Sequence, residues 1–231
     1  HAKIGFIIYY PFQFYVYKNV YQHLMSDAEF IIDLGTFFPT RQTDDVLPAI
    51  QALLHKHGVS YRILRHEDYY YSRYFEQFFS KYEILVSTWM RGCLTHMAVQ
   101  SKKMVHMTYG AGKELTTFDL RKYKFDLVLA YGEYDHAFYS QITSSVLVGN
   151  PKFDDWFGGV LDEATIQNIS KKLDPRKKTV LYLPTHSDLS SIRQLAESLK
   201  NISGTYNVLV KLHYYTPREE PELIEYLKHP K

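Results

Sequence analysis

Thr179-Val-Leu-Tyr-Leu-Pro-Thr-His-Ser-Asp-Leu-Ser-Ser191 and Asn207-Val-Leu-Val-Lys-Leu-His213 follow one design. In each, a short apolar run leads directly into polar residues that can hold an anion. Runs of this length and β-branched content read as buried strands, and a helix-length segment separates them. A strand, a helix and a second strand make a parallel βαβ unit. Ligands of open parallel sheets collect at the carboxyl ends of the strands. Thr185, His186, Ser187, Ser190, Lys211 and His213 are therefore the first candidates for a phosphate-binding site.

Working outward, the same alternation extends back to the N-terminus. Lys3–Tyr10, Phe30–Leu34, Tyr61–Leu64, Ile84–Ser87, Met104–Thr108, Leu127–Ala130 and Val146–Val148 read as strands. Phe12–Met25, Asp44–His57, Ser72–Lys81 and Tyr134–Gln141 read as helices. Strands alternating with helices predict an α/β fold with a mainly parallel sheet. Phe157-Gly158-Gly159 interrupts the pattern, and Asp162 is placed to cap a helix over Glu163–Leu173. The expected division is 1–158, a Rossmann-type domain, and 159–231, the beginning of a second α/β domain. Two strands make a marginal sheet, so the rest of the second domain is expected beyond Lys231. His1 in place of a methionine likewise implies a missing leading segment.

Composition excludes more than it selects. Formal net charge is +2 over 231 residues, and no basic run or binding motif argues for nucleic acid. The clusters Lys171-Lys172 and Arg176-Lys177-Lys178 read as solvated charge. A single cysteine, Cys93, precludes an intrachain disulfide, fits a reducing compartment and reads as a packing residue. No metal-ligand spacing is present, so neither a metal nor another cofactor is implied. No apolar run approaches the ~18 residues of a membrane span. The 21 tyrosines are unusual; clusters such as Tyr69-Tyr70-Tyr71 read as a half-buried helix face, with sugar stacking or membrane contact as the alternative.

Four stretches carry possible chemistry. In Pro184–Ser191 a helix is expected to start at Ser187 or Asp188, offering free N–H groups to a phosphate. Along Val208–His213, alternation puts Lys211 and His213 on one side, suiting anion binding or proton transfer. In the first domain, Tyr109-Gly-Ala-Gly-Lys-Glu114 follows a strand, and Gly149-Asn-Pro-Lys-Phe-Asp154 forms a turn before the domain break. Neither is a nucleotide-binding fingerprint. His106 reads as a core histidine, and Asp154 and Asp155 as carboxylates in the first turn of a helix.

Taken together, Tyr109–Glu114, Gly149–Asp154, Leu183–Ser191 and Lys211–His213 resemble the CDP-glycerol glycerophosphotransferase family of wall and capsule polymer synthesis. The resemblance covers about half the chain. It implies a two-domain GT-B fold and transfer of a polyol phosphate, glycerol or ribitol phosphate, from a CDP-activated donor to a polymer or lipid-linked acceptor. By the same resemblance Tyr109 and His213 occupy the positions of the family's two histidines, with Tyr109 standing where the base is usually His. A tyrosine with a pKa near 10 is a poor base at neutral pH. Gly110, Gly112, Lys113, Glu114 and Asn150 would line the cleft opposite the donor-phosphate residues. Location in the cytoplasm, with peripheral contact at the inner face of the plasma membrane, follows from such an acceptor. A GT-B glycosyltransferase using a nucleotide sugar, an NDP-sugar 2-epimerase and a non-catalytic glycan-binding or assembly module are the alternatives.

Overall fold

The computed structural model describes residues 3–35, 42–108, 110, 124–213 and 216–228. Contacts divide the chain into two compact units, His1–Val160 and Leu161–Lys231.

The first unit is built on a parallel sheet of seven strands: β1 (Ile4–Ile8), β2 (Ala28–Asp33), β3 (Tyr61–Leu64), β4 (Ile84–Ser87), β5 (Lys103–Met107), β6 (Leu127–Ala130) and β7 (Ser144–Leu147). Helices α1 (Pro11–Leu24), α2 (Gln42–Lys56), α3 (Ser72–Phe79) and α4 (Glu133–Tyr139) fall between strands, and α5 (Asp154–Phe157) follows β7. The spatial order is β3-β2-β1-β4-β5-β6-β7. The chain thus winds one way from β1 to β3, then crosses back to place β4 on the other side of β1. That reversal opens a crevice at the carboxyl ends of β1 and β4.

The sequence of β1 explains why it sits at the centre. A strand covered on both faces needs apolar residues at every position. Phe6 and Ile8 enter one core with Phe14, Tyr17, Tyr21, Phe30 and Ile32. Ile7 and Tyr9 enter the other, with Ile31, Phe75, Phe79 and Leu85. Gly5 lets β1 approach its neighbours: an added Cβ would lie 2.7 Å from Ile31 Cδ1.

Polar groups fasten the carboxyl edge of this sheet. Buried Asp33, at the end of β2, accepts from the Cys93 N–H at 2.9 Å, the Gly35 N–H at 2.9 Å and the Tyr69 hydroxyl at 2.6 Å. Burial pushes its carboxyl above the usual range, and those three donors pull the other way. Gln13, also fully buried, accepts from the N–H groups of Tyr9 and Tyr10 and donates to Thr88 Oγ1. It ties the start of α1 to the segment after β4.

The second unit holds α6 (Glu163–Ser170), β8 (Thr179–Tyr182), α7 (Ile192–Ile202), β9 (Asn207–Val210), α8 (Thr216–Glu219) and α9 (Pro221–Lys228). Strands β8 and β9 pair in parallel, with Tyr182 opposite Val210. Asn207 clamps the preceding loop, donating to the carbonyls of Asp174 and Lys177 and accepting from the Asp174 N–H. Asp162 caps α6 through Thr165 N–H at 2.9 Å, as its sequence position implied. Leu181 and Leu183 are more than half exposed.

Two readings of local structure are corrected. The tyrosine cluster does not form a helix face: Tyr69 turns inward to Asp33, whereas Tyr70 and Tyr71 are exposed, on a 3-10 turn over Glu67–Tyr70. The helix expected from Ser187 begins only at Ile192, because Ser187–Leu189 closes a separate 3-10 turn with Ser187 in the left-handed region.

Phe30 packs against Phe6, Phe14, Tyr17 and Tyr21, with centroids 5.0–6.2 Å apart. Phe30→Ala is expected to cost about 3–5 kcal/mol in denaturant unfolding. Leu181→Ala, at an exposed position, should stay within about 0.5 kcal/mol of the parent chain.

Candidate functional site

The two strand ends singled out from sequence come together in the second unit. Parallel pairing of β8 with β9 puts both carboxyl ends on one edge, and the Lys211 N–H extends the ladder by donating to Tyr182 O at 3.1 Å. Beyond that point the imidazoles of His186 and His213 stack, with centroids 4.4 Å apart and planes 27° apart. The residues are 27 positions apart in sequence, so only the strand pairing brings them into contact. Two imidazoles side by side present ring N–H groups at one edge of a sheet, a suitable arrangement for phosphate oxygens.

The segment between β8 and α7 holds its shape through short internal bonds. Thr185 Oγ1 donates to Leu189 O at 2.6 Å, and the Ser190 N–H donates to Ser187 O at 2.9 Å. His186 Nδ1 lies 3.0 Å from Ser187 Oγ, and the Tyr182 hydroxyl lies 2.5 Å from Ser191 Oγ. Ser187 has φ of +51°. A non-glycine residue held in the left-handed region costs about 1–2 kcal/mol, and such strain concentrates at functional sites. The strained turn carries the hydroxyl beside His186.

Ser187 and Ser190 also line a depression of about 550 Å³ with Asp188, Arg193, Gln194 and Glu220. Arg193 is held there by Glu220 at 2.7 Å and Glu222 at 2.8 Å. Its charge is thus compensated by two carboxylates, and Asp188 adds a third negative group. The anion-favouring side of this loop is accordingly the His186–His213 side.

In the first unit, Asn150 caps the short turn Pro151–Phe153, its side chain accepting from the Lys152 N–H at 3.2 Å. The turn is docked on α1: Asn19 donates to Pro151 O at 2.7 Å, and Lys18 pairs with Asp155 at 2.5 Å. Gly110 has open space where a Cβ would stand. Tyr109, Gly112, Lys113 and Glu114 lie outside the described residues. His106 is a core histidine: it is buried, with Nδ1 3.2 Å from Ser87 O. Cys93 is fully buried, and burial pushes its thiol well above the ordinary value, so it is no nucleophile. Among the described residues no cluster of His, Cys, Asp and Glu could hold a metal ion.

Sequence reasoning passed over the crossing point of the first sheet. Tyr9, Tyr10, Gln13, Thr88, Trp89 and Arg91 meet there. The available signal was Ser87-Thr-Trp-Met-Arg-Gly92, a strand end that runs into an arginine and a glycine.

No curated protein matches this sequence. Among solved structures, that of the wall teichoic acid polymerase TagF is similar, with a TM-score of 0.55 and 15% identity. The match covers 92% of this chain and 56% of that one, so the chain spans little more than half the length of that polymerase. At this identity the likeness speaks for the fold, and it agrees with the GT-B-like α/β class expected from sequence. The family model described as CDP-glycerol:poly(glycerophosphate) glycerophosphotransferase matches residues 61–227. From the third strand of the first sheet to the last helix, the chain belongs to that glycerophosphotransferase family.

Proposed function

We propose that the chain takes part in transfer of a polyol phosphate, with glycerol phosphate as the leading case, from a CDP-activated donor to a hydroxyl of a growing polymer. The stacked pair His186–His213 carries this reading. Family membership supplies the reaction class, and the pair supplies a place for the donor's phosphates. In the transfer, an acceptor oxygen forms a bond to the phosphorus that bears the polyol. The bond from that phosphorus to the bridging oxygen breaks, CMP departs, and the acceptor proton passes to a base. Negative charge accumulates on the phosphoryl oxygens and the leaving phosphate, so donors fixed beforehand at those oxygens lower the barrier.

The ring nitrogens of His186 and His213, the hydroxyls of Ser187 and Ser190, and the ammonium of Lys211 are assigned to this task; Thr185, whose hydroxyl donates to Leu189 O, would join them by turning that hydroxyl to the phosphate. Tyr109 and the loop Gly110–Glu114, with Asn150, are assigned to the acceptor side. Action at the inner face of the plasma membrane, by peripheral contact, completes the proposal. No helix among the described residues is long and apolar enough to cross a membrane.

A ligand panel on the protein tests the donor. CDP-glycerol, CDP-ribitol and CMP should raise Tm by mass action, whereas UDP-GlcNAc should leave it unchanged. Selective stabilisation by the UDP-sugar would overturn the assignment in favour of a glycosyltransferase. In a protein competent for transfer, His213→Ala should lower kcat by about 100-fold, the usual cost of losing one charge-stabilising donor. Its Tm should stay within about 3 °C, because the site sits at the edge of the unit. Unchanged turnover would remove His213 from the site.

A further inference from the structure

The crossing point of the first sheet contains an arginine whose charge is not accounted for. Arg91 follows β4, at the carboxyl edge where β1 and β4 diverge. Its Nε and Nη2 atoms are buried and have no hydrogen-bond partner. No carboxylate among the described residues pairs with it. Its guanidinium instead lies against rings: the carbon Cζ is 4.1 Å from the Trp89 centroid and 4.9 Å from that of Tyr9. Ring faces stabilise a guanidinium, but they satisfy none of its N–H donors.

Nε and Nη2 form one edge of the guanidinium fork, the edge that grips carboxylates and phosphates with two parallel bonds. This chain uses that edge elsewhere. Arg176 presents Nε and Nη2 to Asp174, both at 3.0 Å, and Arg193 presents the same pair to Glu220 at 3.2 and 2.7 Å. Both of those arginines are exposed, where an ion pair is worth little. At Arg91 the edge is buried, where an unpaired charge is most costly, and among the described residues it meets no acidic side chain. Buried donors without a partner are rare in native proteins and call for a specific explanation.

The surroundings favour an anion from outside the chain. Gln13 already takes the N–H groups of Tyr9 and Tyr10, so the local backbone donors are occupied and Arg91 is left as the cationic element. Its backbone is fixed on two sides: the Arg91 carbonyl accepts from the Tyr9 hydroxyl at 2.9 Å, and Gly92 adopts φ of +62° immediately after it. Tyr10, Phe12 and Trp89 form a half-buried aromatic group beside it, with centroids 5.8–6.0 Å apart. At the same sheet edge, just past β6, the buried hydroxyl of Tyr131 also lacks a partner. Orphaned donors and apolar rings match a phosphate ester: an oxyanion for the fork and a carbon skeleton for the aromatic faces.

We propose that Arg91, at the β1–β4 crossing of the first unit, binds the phosphate of a phosphorylated polyol, a role that does not depend on the His186–His213 pair. The geometry carries the phosphate ester; the choice of a polyol, and of glycerol as that polyol, rests on the function proposed above.

The test is thermal stabilisation of the full chain by glycerol 3-phosphate, a monoester, and glycerophosphoglycerol, a diester, with glycerol as the neutral control. At about 100-fold excess over Kd, one or both esters should raise Tm by about 5–10 °C, and glycerol should not. Arg91→Gln should abolish that shift while its own Tm stays within about 3 °C of the parent, since it removes a buried unpaired charge. Arg91→Lys, which keeps the charge but loses the fork, should weaken binding at least tenfold. Arg176→Gln, which removes an exposed fork that belongs to neither site, should keep the shift. If the shift disappears in His213→Asn and survives in Arg91→Gln, the site is the other one and the proposal is wrong. An Arg91→Gln chain that loses stability yet keeps the full shift would make Arg91 a packing residue. Absence of any shift in the parent chain would likewise overturn the proposal, leaving the fork to a buried water.

Discussion

Parallel pairing is the constraint on which the rest of this structure depends. Every described strand pair, from β3–β2 to β8–β9, is parallel. Parallel neighbours cannot be joined by tight turns, so the chain must return along a face before each new strand. All strands of a sheet then finish at the same edge, where the backbone leaves the ladder and polar side chains replace it. Asp33, Thr88, Arg91 and Tyr131 gather at one such edge, and His186 and His213 at the other.

The two edges are finished differently. In the first unit the polar groups are buried and mostly interlocked: Asp33 takes three donors, and Gln13 joins the start of α1 to Thr88. Arg91 is the exception, a charge held in place by rings and by its own carbonyl while its fork has no partner. In the second unit the corresponding loop is largely exposed, and local bonds rather than burial hold its shape. A buried, pre-set fork suits selective recognition of a phosphate ester. An exposed loop with a strained serine is open to ligand from solvent.

Much of this arrangement was legible in the sequence. Tyr61–Leu64, Ile84–Ser87 and Leu127–Ala130 are strands with the limits read from their apolar runs. Their starts are sharp because a polar or charged residue, Ser60, Glu83 or Asp126, immediately precedes each apolar run. Helix α7 starts several residues beyond the expected position: Ser187, Asp188, Ser190 and Ser191 are all acceptable caps, and local preference cannot choose among them. The choice fell to Ser191 once Ser187 had entered the left-handed region and closed its own turn. Tyr69, Tyr70 and Tyr71 are identical in type, yet Tyr69 turns inward to a buried carboxylate, Asp33, 36 residues away, whereas Tyr70 stays exposed beside His66.

The sequence by itself determined the class of fold and the strand ends that carry His186 and His213, because hydrophobic periodicity and turn residues are local properties. Tertiary structure alone decided which residues meet. The stacking of His186 on His213 follows from the register of β8 against β9. The isolation of the Arg91 fork follows from β4 crossing to the far side of β1, which sets the guanidinium against rings while the nearby carboxylate of Asp33 is taken up by other donors. Burial and partnership are relations between distant segments, and no single stretch of sequence encodes them.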